Sequence, residues 1–327
     1  TLLSADKIKQ INYKIKKTLY LVNDIEKYPK YIRKKSFQKQ LKQIFNLINA
    51  GRYIDDSFEI ITAKTIKKLK KNTDISVAVK RLKVNFAMTV KYSDVRLLPT
   101  DTPFLKDKET FDIDRIQVAG IDLGEPLAVI SKTKDKKWSY VISATAEGWI
   151  KTQNIAFASK EIILDWINAD NFIVVTNSKS DVFLDQDMKQ YYDYLRMSAK
   201  LPLIKKIDSN KVCVKIPVSN RTGILYFKKA YIDNSEVSLG FLKYTQRNVI
   251  YQAFKHLNSP YAWGGFSGEQ DCSTFVRQVF GCFGFILPRI SSGQIQCGNN
   301  LLGMDNNDSI YSKNMKIIDN AHPGISL

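Results

Sequence analysis

A glycine-rich stretch that leads directly into a cysteine constrains the fold of this chain more than any other feature. Residues 260–277 read PYAWGGFSGEQDCSTFVR. The three glycines allow backbone conformations that other residues resist, so a tight loop is predicted here. Apolar residues with helical spacing follow and would form one buried helix face; they are Phe275, Val276, Val279 and Phe280. Cys272 is therefore predicted to lie in the first turn of a helix.

The predicted position of Cys272 suggests chemistry as well as structure. In the first turn of a helix, unpaired backbone N–H groups and the helix dipole favour a thiolate over a thiol. Stabilising the thiolate is one way in which proteins activate a nucleophilic cysteine. The alternative is a structural role, since free cysteines are among the most buried residues in proteins. Asp271 or Ser273 can serve as the N-cap of the helix.

Composition and charge narrow the class of protein. The chain has 327 residues, 44% hydrophobic and 25% charged, which is typical of a globular protein of two to four domains. No apolar run in the sequence is long enough to span a bilayer. The net charge of +18 indicates anionic partners, either nucleic acid or an anionic cell envelope. Because no zinc-finger or helix-turn-helix spacing accompanies the lysines, envelope polyanions are the preferred interpretation and nucleic acid is not expected.

The cysteines and histidines argue against a metal centre. There are four cysteines and two histidines, and no two cysteines form a Cys-x-x-Cys pair. A zinc site is therefore not expected, nor is any other metal or cofactor. Four cysteines are also too few for a disulfide-framed domain of this size. Cys282 follows the apolar run of the predicted helix and is expected in the core.

The period of the apolar residues divides the chain into four predicted segments. Residues 1–84 show steps of three and four and are predicted to be helical. Residues 85–158 and 159–236 show short alternating runs separated by turn signals, which predict two small β-barrels. Residues 237–327 contain the glycine-rich stretch.

Individual elements are also predicted. The first helical pattern runs from Ile8 to Val22, before Pro29 breaks it. Two further helices are expected around residues 37–48 and 60–69. The clearest predicted strands are residues 86–90, 126–130, 138–142, 172–176, 201–204, 212–216 and 222–226. The segments Asp185–Asp187 and Tyr191–Tyr194 could suggest a metal or sugar site, but an exposed loop or a short helix is the preferred interpretation.

Three motifs in this order resemble the NlpC-type family of papain-like cell-wall cysteine peptidases. That family has a Tyr-x-Trp-Gly-Gly loop, then Asp-Cys-Ser at the start of a helix, then Leu-Pro-Arg-x-Ser-x-x-Gln. The corresponding residues here are 261–265, 271–273 and 287–294. Three linked motifs are far more specific than a lone cysteine.

The first predicted barrel resembles the bacterial Src-homology-3-like (SH3-like) module found upstream of the peptidase in these enzymes. The resemblance rests on Arg96–Thr100, Phe111, Asp112, Gln117, Gly124–Leu127, Trp138, Gly148 and Trp149. The second barrel is interpreted as another such module, and multidomain members of the family also carry a helical N-terminal segment. The resemblance therefore implies a multidomain α+β protein with a helical N-terminal segment, two SH3-like barrels and a papain-like α+β catalytic domain.

The resemblance also implies roles for individual residues. Cys272 would be the nucleophile, and Tyr261 would lie beside the oxyanion. Asp271, Ser273 and Ser291 would bind the free amine and the D-glutamyl carboxylate of a wall peptide. Each of these four also has a structural alternative: a helix cap for Asp271 and Ser273, a turn for Ser291 and packing for Tyr261.

The histidine that such a mechanism requires is not evident in the sequence. In the family it opens a later apolar strand, and no such segment occurs before Leu327. The chain is therefore expected to stop inside its catalytic domain, with the histidine and its orienting partner beyond Leu327. His322, next to a Pro-Gly turn, is a weaker alternative, and His256 on the preceding helix is expected to be structural.

The predicted function is a peptidoglycan endopeptidase of the periplasm or cell envelope. It would hydrolyse the bond between the γ-carboxyl of D-glutamate and the diamino acid of a stem peptide. The chain begins TLLSAD, without a signal peptide, which we interpret as a mature or trimmed start. Two alternatives stay open: a wall-binding protein with a degenerate, inactive peptidase domain, and an amidase or acyltransferase on the same fold. Oligomeric state is not predicted.

Overall fold

The N-terminal segment contains three helices and a small sheet. The computed structural model describes residues 1–48, 50–73, 78–298 and 309–320. The elements of this segment are α1 (Ala5–Lys17), β1 (Tyr31–Arg33), α2 (Lys34–Leu47), α3 (Ala63–Asn72) and β2 (Arg81–Lys83), with β1 and β2 paired antiparallel. The helical character predicted for this region is confirmed, with the short sheet as an addition.

The first helix is shorter than its apolar pattern predicted. Helix α1 ends at Lys17, and Tyr20 has a left-handed backbone with φ of 53°. Val22 is nonetheless buried, because the chain folds back so that this side chain still reaches the core. The pattern therefore predicted burial correctly and the length of the helix incorrectly.

A seven-stranded antiparallel sheet follows, which we call the first sheet. Its strands are β3 (Asn85–Thr89), β4 (Ser93–Arg96), β5 (Gln117–Ile121), β6 (Pro126–Lys132), β7 (Trp138–Ile142), β8 (Glu147–Lys151) and β9 (Ile155–Ala158). Their order in space is β5-β4-β8-β7-β6-β3-β9. The three strands predicted in this region correspond to β3, β6 and β7.

A second seven-stranded antiparallel sheet is preceded by helix α4 (Lys160–Ile167). Its strands are β10 (Phe172–Val175), β11 (Lys179–Phe183), β12 (Tyr191–Arg196), β13 (Lys200–Lys206), β14 (Lys211–Ser219), β15 (Leu225–Asp233) and β16 (Val237–Leu239). The spatial order is β12-β11-β15-β14-β13-β10-β16. Strand for strand, this is the order of the first sheet, so the two sheets are a structural repeat.

The interpretation of residues 191–194 as a loop or short helix was wrong. They form the first part of β12, paired with β11. Their tyrosines reach the first sheet: the Tyr192 hydroxyl donates to the Val90 carbonyl at 2.9 Å, and Tyr194 stacks on Tyr92 with ring centroids 5.4 Å apart. Contacts between distant parts of the chain therefore make this polar segment a strand.

A buried ion pair joins the two sheets. The Arg196 guanidinium, at the end of β12, is 1% exposed and donates two hydrogen bonds to the Asp122 carboxylate, from Nε at 3.0 Å and from Nη2 at 2.8 Å. Its Nη2 also donates to the Gly120 carbonyl at 2.8 Å. Beside this contact, the Trp166 indole N–H of α4 donates to the Gly124 carbonyl at 3.0 Å. The sheets are thus held in one arrangement by directional bonds.

The C-terminal part of the chain is mostly helical where it is described. Its elements are α5 (Gln246–Phe254), a 3-10 segment (Trp263–Gly268), α6 (Cys272–Gly281), α7 (Ser291–Gln294) and α8 (Ile310–Asn320). Helix α6 packs on α1 and the second sheet through a core that includes Ile8, Val174, Val279 and Cys282. Within the described residues, each helix is too short or too polar to cross a membrane.

We predict that Asp122→Asn lowers the free energy of unfolding by about 3–5 kcal/mol, because it leaves the buried Arg196 charge without its anion. Urea titration followed by circular dichroism measures the change. The matched control is Asp101→Asn, which breaks an exposed pair with Lys151 and should cost less than about 1 kcal/mol. Equal effects of the two variants would contradict the role given to the buried pair.

Candidate active site

The loop before Cys272 has a left-handed backbone at four positions. The φ angles are 66° at Gly264, 70° at Gly265, 53° at Ser267 and 79° at Gly268. Glycine adopts such angles without the steric cost that a side chain incurs. The tight loop predicted from the glycines is therefore present, and it delivers the chain to the start of α6.

The first sheet holds this loop by its backbone. The Tyr92 hydroxyl donates to the Gly265 carbonyl at 2.6 Å, and the Asp94 carboxylate accepts from the Ser267 N–H at 3.3 Å. A Cβ on Gly264 would come within 2.6 Å of the Gln117 side chain. The close approach of the first sheet thus requires glycine at position 264.

The second sheet holds the other end of the same loop. The Tyr194 hydroxyl donates to the Ser267 carbonyl at 3.2 Å, and Lys179 forms an ion pair with Glu269. A Cβ on Gly268 would lie 2.2 Å from the Tyr194 hydroxyl. Both sheets therefore contact the segment that positions the cysteine.

Helix α6 begins at Cys272, as the sequence predicted. Asp271 is the N-cap, and its carboxylate accepts from the Thr274 N–H at 2.8 Å. The Cys272 side chain is exposed at the first helical position. By contrast, Cys282 at the other end of the helix is fully buried, and burial raises the pKa of its thiol to about 12. Of these two cysteines, only Cys272 is accessible to a substrate.

Arg289, which belongs to the third motif (residues 287–294), holds the start of α6 in place. Its guanidinium is 7% exposed and donates to the Asp271 carboxylate at 2.6 Å and to the Ser273 hydroxyl at 2.7 Å. Gln294 adds a bond from its side-chain amide to the Ser273 carbonyl at 2.8 Å. The sequence contained Arg289 and Gln294 as members of a motif, but it gave no reason to assign them this positioning role.

The ionisation of Asp271 depends on these contacts. Burial opposes the charged form, but the hydrogen bonds and charge of Arg289 outweigh it, so the pKa of Asp271 is lowered. The carboxylate is thus an anion neutralised by a buried cation. Asp271 has the helix-cap role considered as its alternative, whereas Ser273 is the second residue of α6 and its hydroxyl bonds to Asp271 and Arg289. The predicted contacts of both residues with substrate stay a prediction.

A cavity of about 460 Å³ lies beside Cys272. Residues 253–261, apart from Lys255 and Asn258, and residues Gln270, Asp271, Cys272 and Phe275 line it. Tyr261 is 58% exposed here; burial, then the nearby Asp271 and Cys272, raise the pKa of its hydroxyl. The structure therefore brings Tyr261, Asp271 and Cys272 to one cavity. Ser291 lies exposed at the first residue of α7 and is not among the described residues that line this cavity.

His256 lies on the wall of the same cavity. Its ring is 7% exposed, accepts from the Gln270 amide at Nδ1 and contacts the Met197 sulfur 3.1 Å from Nε2. The ring also packs edge-on against Phe275. Burial lowers its pKa to about 4, so it is neutral at pH 7. Because both ring nitrogens already have partners, the geometry favours the structural role predicted for His256.

The structure bears on a metal site, but not on His322 as the catalytic base. In residues 1–48, 50–73, 78–298 and 309–320, no group of three or more His, Cys, Asp or Glu side chains could hold a metal ion. His322, the weaker candidate for the base, lies outside the described residues.

Comparison with known families agrees with this geometry. Residues 258–324 match the NlpC/P60 family, and residues 103–151 match the SH3 domain of SH3b1 type. The C-terminal part of the chain is an NlpC/P60 domain. The resemblance inferred from the three motifs is therefore confirmed, as is the multidomain α+β fold with an SH3-like domain.

Solved structures share the arrangement of this chain. An NlpC/P60 endopeptidase from Photobacterium damselae subsp. piscicida has a TM-score of 0.70 at 20% identity, covering 89% of this chain and 65% of that one. An NlpC/P60 family protein from Bacillus cereus ATCC 10987 has a TM-score of 0.50 at 17% identity, covering 68% of this chain and 79% of that one. No curated protein matches the chain. At these identities the likeness shows a shared fold.

We predict that the stability lost in Arg289→Met depends on pH. The ion pair contributes while Asp271 is ionised, so its contribution is present above the ordinary Asp pKa of about 4 and is lost as pH falls through the lowered value. The difference in free energy of unfolding between wild type and variant should therefore shrink from pH 7 to pH 3. Urea titrations across this range measure it.

The matched control is Arg247→Met, which removes an exposed arginine from α5. The small difference in free energy of unfolding that this variant causes should change little over the same pH range. A difference for Arg289→Met that stays constant from pH 7 to pH 3 would show that the ion pair with Asp271 is not its cause.

Proposed function

We propose that the protein is a peptidoglycan endopeptidase that hydrolyses the γ-D-glutamyl–diamino acid bond of stem peptides, with Cys272 as nucleophile. The observation that carries this proposal is the exposed Cys272 at the start of α6, beside an open cavity, in an NlpC/P60 domain. This chain spans 65% of the length of the Photobacterium endopeptidase, so the activity of the whole protein is part of the proposal. A peptidase of this kind acts in the cell envelope.

The proposed reaction uses the geometry at the start of α6. The Cys272 thiolate attacks the carbonyl carbon, and the first backbone N–H groups of the helix, which have no intrahelical partners, stabilise the oxyanion. The C–N bond then breaks, the amine leaves with a proton, and water hydrolyses the thioester. An imidazole must carry that proton, and His256 is poorly suited because its two nitrogens are already engaged.

The proposed substrate contacts follow the residues that the motifs predicted. Tyr261 beside Cys272 would contact the oxyanion, and Asp271, Ser273 and Ser291 would recognise the amine and the carboxylate of the peptide. Because the Asp271 carboxylate already pairs with Arg289, it can offer an amine only its remaining lone pairs.

A second carboxylate for the amine would come from the first sheet. We propose Asp94, whose carboxylate accepts from the Ser267 N–H of the loop and from the Gln117 amide. Glu125 does not, since it lines a different cavity together with Arg277.

The nucleophile assignment predicts the effect of one substitution. Cys272→Ala in the full-length protein should lower the rate of stem-peptide hydrolysis by about 10³-fold or more, because the bond-forming atom is lost. Separation of the products by liquid chromatography and mass spectrometry measures the rate. The control is Cys282→Ala, which removes the buried cysteine of the same helix and should keep most activity in protein that folds.

Undiminished hydrolysis by Cys272→Ala would refute the assignment of Cys272 as the nucleophile. Wall binding without hydrolysis by the wild-type protein would favour the inactive wall-binding alternative. Transfer or release of an acyl group other than the stem peptide would favour the amidase or acyltransferase.

The first sheet predicts a preference between substrates. It contacts the loop that precedes Cys272, and we propose that it closes one end of the cleft, so that a peptide with a free N-terminal L-alanine fits while a sugar-linked stem clashes. Free stem peptides should therefore be cut at least about 10-fold faster than intact sacculi, a ratio that corresponds to about 1.4 kcal/mol. Parallel digestion of the two substrates measures the preference.

Asp94→Asn should reduce this preference by raising KM for the free peptide, and Asp101→Asn, on the same sheet but away from the loop, should leave it unchanged. Equal rates on free peptide and sacculi in the wild-type protein would refute the gating by the first sheet.

A further inference from the structure

A cleft of about 820 Å³ lies where the two sheets meet, and it shares no lining residue with the cavity beside Cys272. One side is formed by the hairpin between β6 and β7 and by the connection from β8 to β9. The other side is the turn between β14 and β15, which is joined to the first sheet by a hydrogen bond from the Phe157 N–H to the Gly223 carbonyl at 2.8 Å. The repeat of the two sheets therefore creates this cleft.

The lining of the cleft is strongly basic. Its basic side chains are Lys132, Lys136, Lys137, Lys151 and Arg221. Asp101 is the one acidic residue among the described residues that line it, so the net charge of the lining is +4. Asp101 pairs with Lys151 at 2.9 Å. The other four cations therefore face the cleft without an ion-pair partner among the described residues that line it.

The hairpin carries one further carboxylate, and it is directed elsewhere. Asp135 accepts from the Thr133 hydroxyl at 2.6 Å and from the Asn72 amide at 3.0 Å. Its contacts thus join the hairpin to the N-terminal segment. Lys137 is close enough to Asp135 to act on its carboxylate, and Lys137 also lines the cleft.

The arrangement of the lysines is that of an anion site. Lys132 is exposed at the end of β6, with its ammonium 4.3 Å from the centre of the Phe157 ring. Burial, and then repulsion by the neighbouring Lys136 charge, lower the pKa of Lys132. A multivalent anion would offset this repulsion, and hydroxyl and amide groups from Thr152, Gln153 and Asn220 also line the cleft.

The aromatic residues distinguish between kinds of polyanion. Proteins that bind single-stranded nucleic acid stack the bases on exposed aromatic rings. Here Trp138 is only 7% exposed, and Lys132 covers the ring of Phe157. The cleft therefore offers positive charge without an open stacking surface, which suits a chain of phosphates that carries no bases.

We propose that the cleft between the two sheets binds a phosphate-rich linear polyanion and so tethers the protein to such a polymer. The cleft is large enough for several consecutive phosphates. The four cations that have no carboxylate partner in the lining attract these phosphates. The site is separate from Cys272, so binding there leaves the cysteine accessible.

The test is titration of the full-length protein with short-chain linear inorganic polyphosphate, by isothermal titration calorimetry at several salt concentrations. The triple variant Lys132→Gln, Lys136→Gln, Lys137→Gln should bind about 10-fold or more weakly at low salt, with a shallower dependence of log Kd on log salt. The matched control is Lys67→Gln, Lys68→Gln, Lys71→Gln, which removes the same charge from exposed positions on α3 and should bind within about 2-fold of wild type.

Several outcomes would overturn the proposal. They are absence of polyphosphate binding by the wild type, equal weakening in the two triple variants, and tighter binding of a single-stranded oligonucleotide of the same charge. If the cleft triple variant does not fold, as judged by circular dichroism, Arg221→Gln at the exposed turn replaces it. That single variant should then weaken binding by about 2-fold or more, and an unchanged affinity would count against the cleft.

Discussion

The contact between the Arg289 guanidinium and the Asp271 carboxylate is the interaction on which the site depends. It fixes the N-cap of α6, and the position of the cap decides where the first helical residue, Cys272, is presented. The same guanidinium bonds to Ser273, so cap, nucleophile candidate and following residue are held as one unit. A charge pair buried to this degree is stabilising only when its geometry is good, and here Arg289 donates from both terminal nitrogens while Gln294 holds the neighbouring Ser273 carbonyl.

The glycine-rich loop links the start of α6 to the two sheets. The first sheet contacts the loop through Tyr92 and Asp94, and the second sheet contacts it through Tyr194 and Lys179. The sheets are joined to one another through Arg196, so the loop lies against a rigid pair. Both sheets therefore help to set the path of the chain into Cys272, although the described residues that line the cavity all come from the C-terminal part.

Much of the organisation could be predicted because local patterns reflect local physics. Apolar spacing identified α2 and α3, alternation identified β3, β7 and β14, and the glycines before Asp271 identified the loop. The errors occurred where distant contacts decide the outcome. Residues 191–194 carry tyrosines and an aspartate that suggest a surface loop, yet the Tyr192 hydroxyl bonds to the first sheet and the segment forms a strand. Helix α1 ends at Lys17, before the left-handed Tyr20, although the apolar pattern continued to Val22.

The sequence by itself determined that Cys272 begins a helix after a tight glycine loop, because helix caps and left-handed backbone angles depend on residues close in the chain. It also contained the motif with Arg289. Only the tertiary structure decided that Arg289 pairs with Asp271 eighteen residues earlier, that His256 is engaged by Gln270 and Met197, and that lysines of one sheet meet Arg221 of the next. Those contacts join residues far apart in the chain, and their geometry follows from how the elements pack, which the order of residue types does not specify.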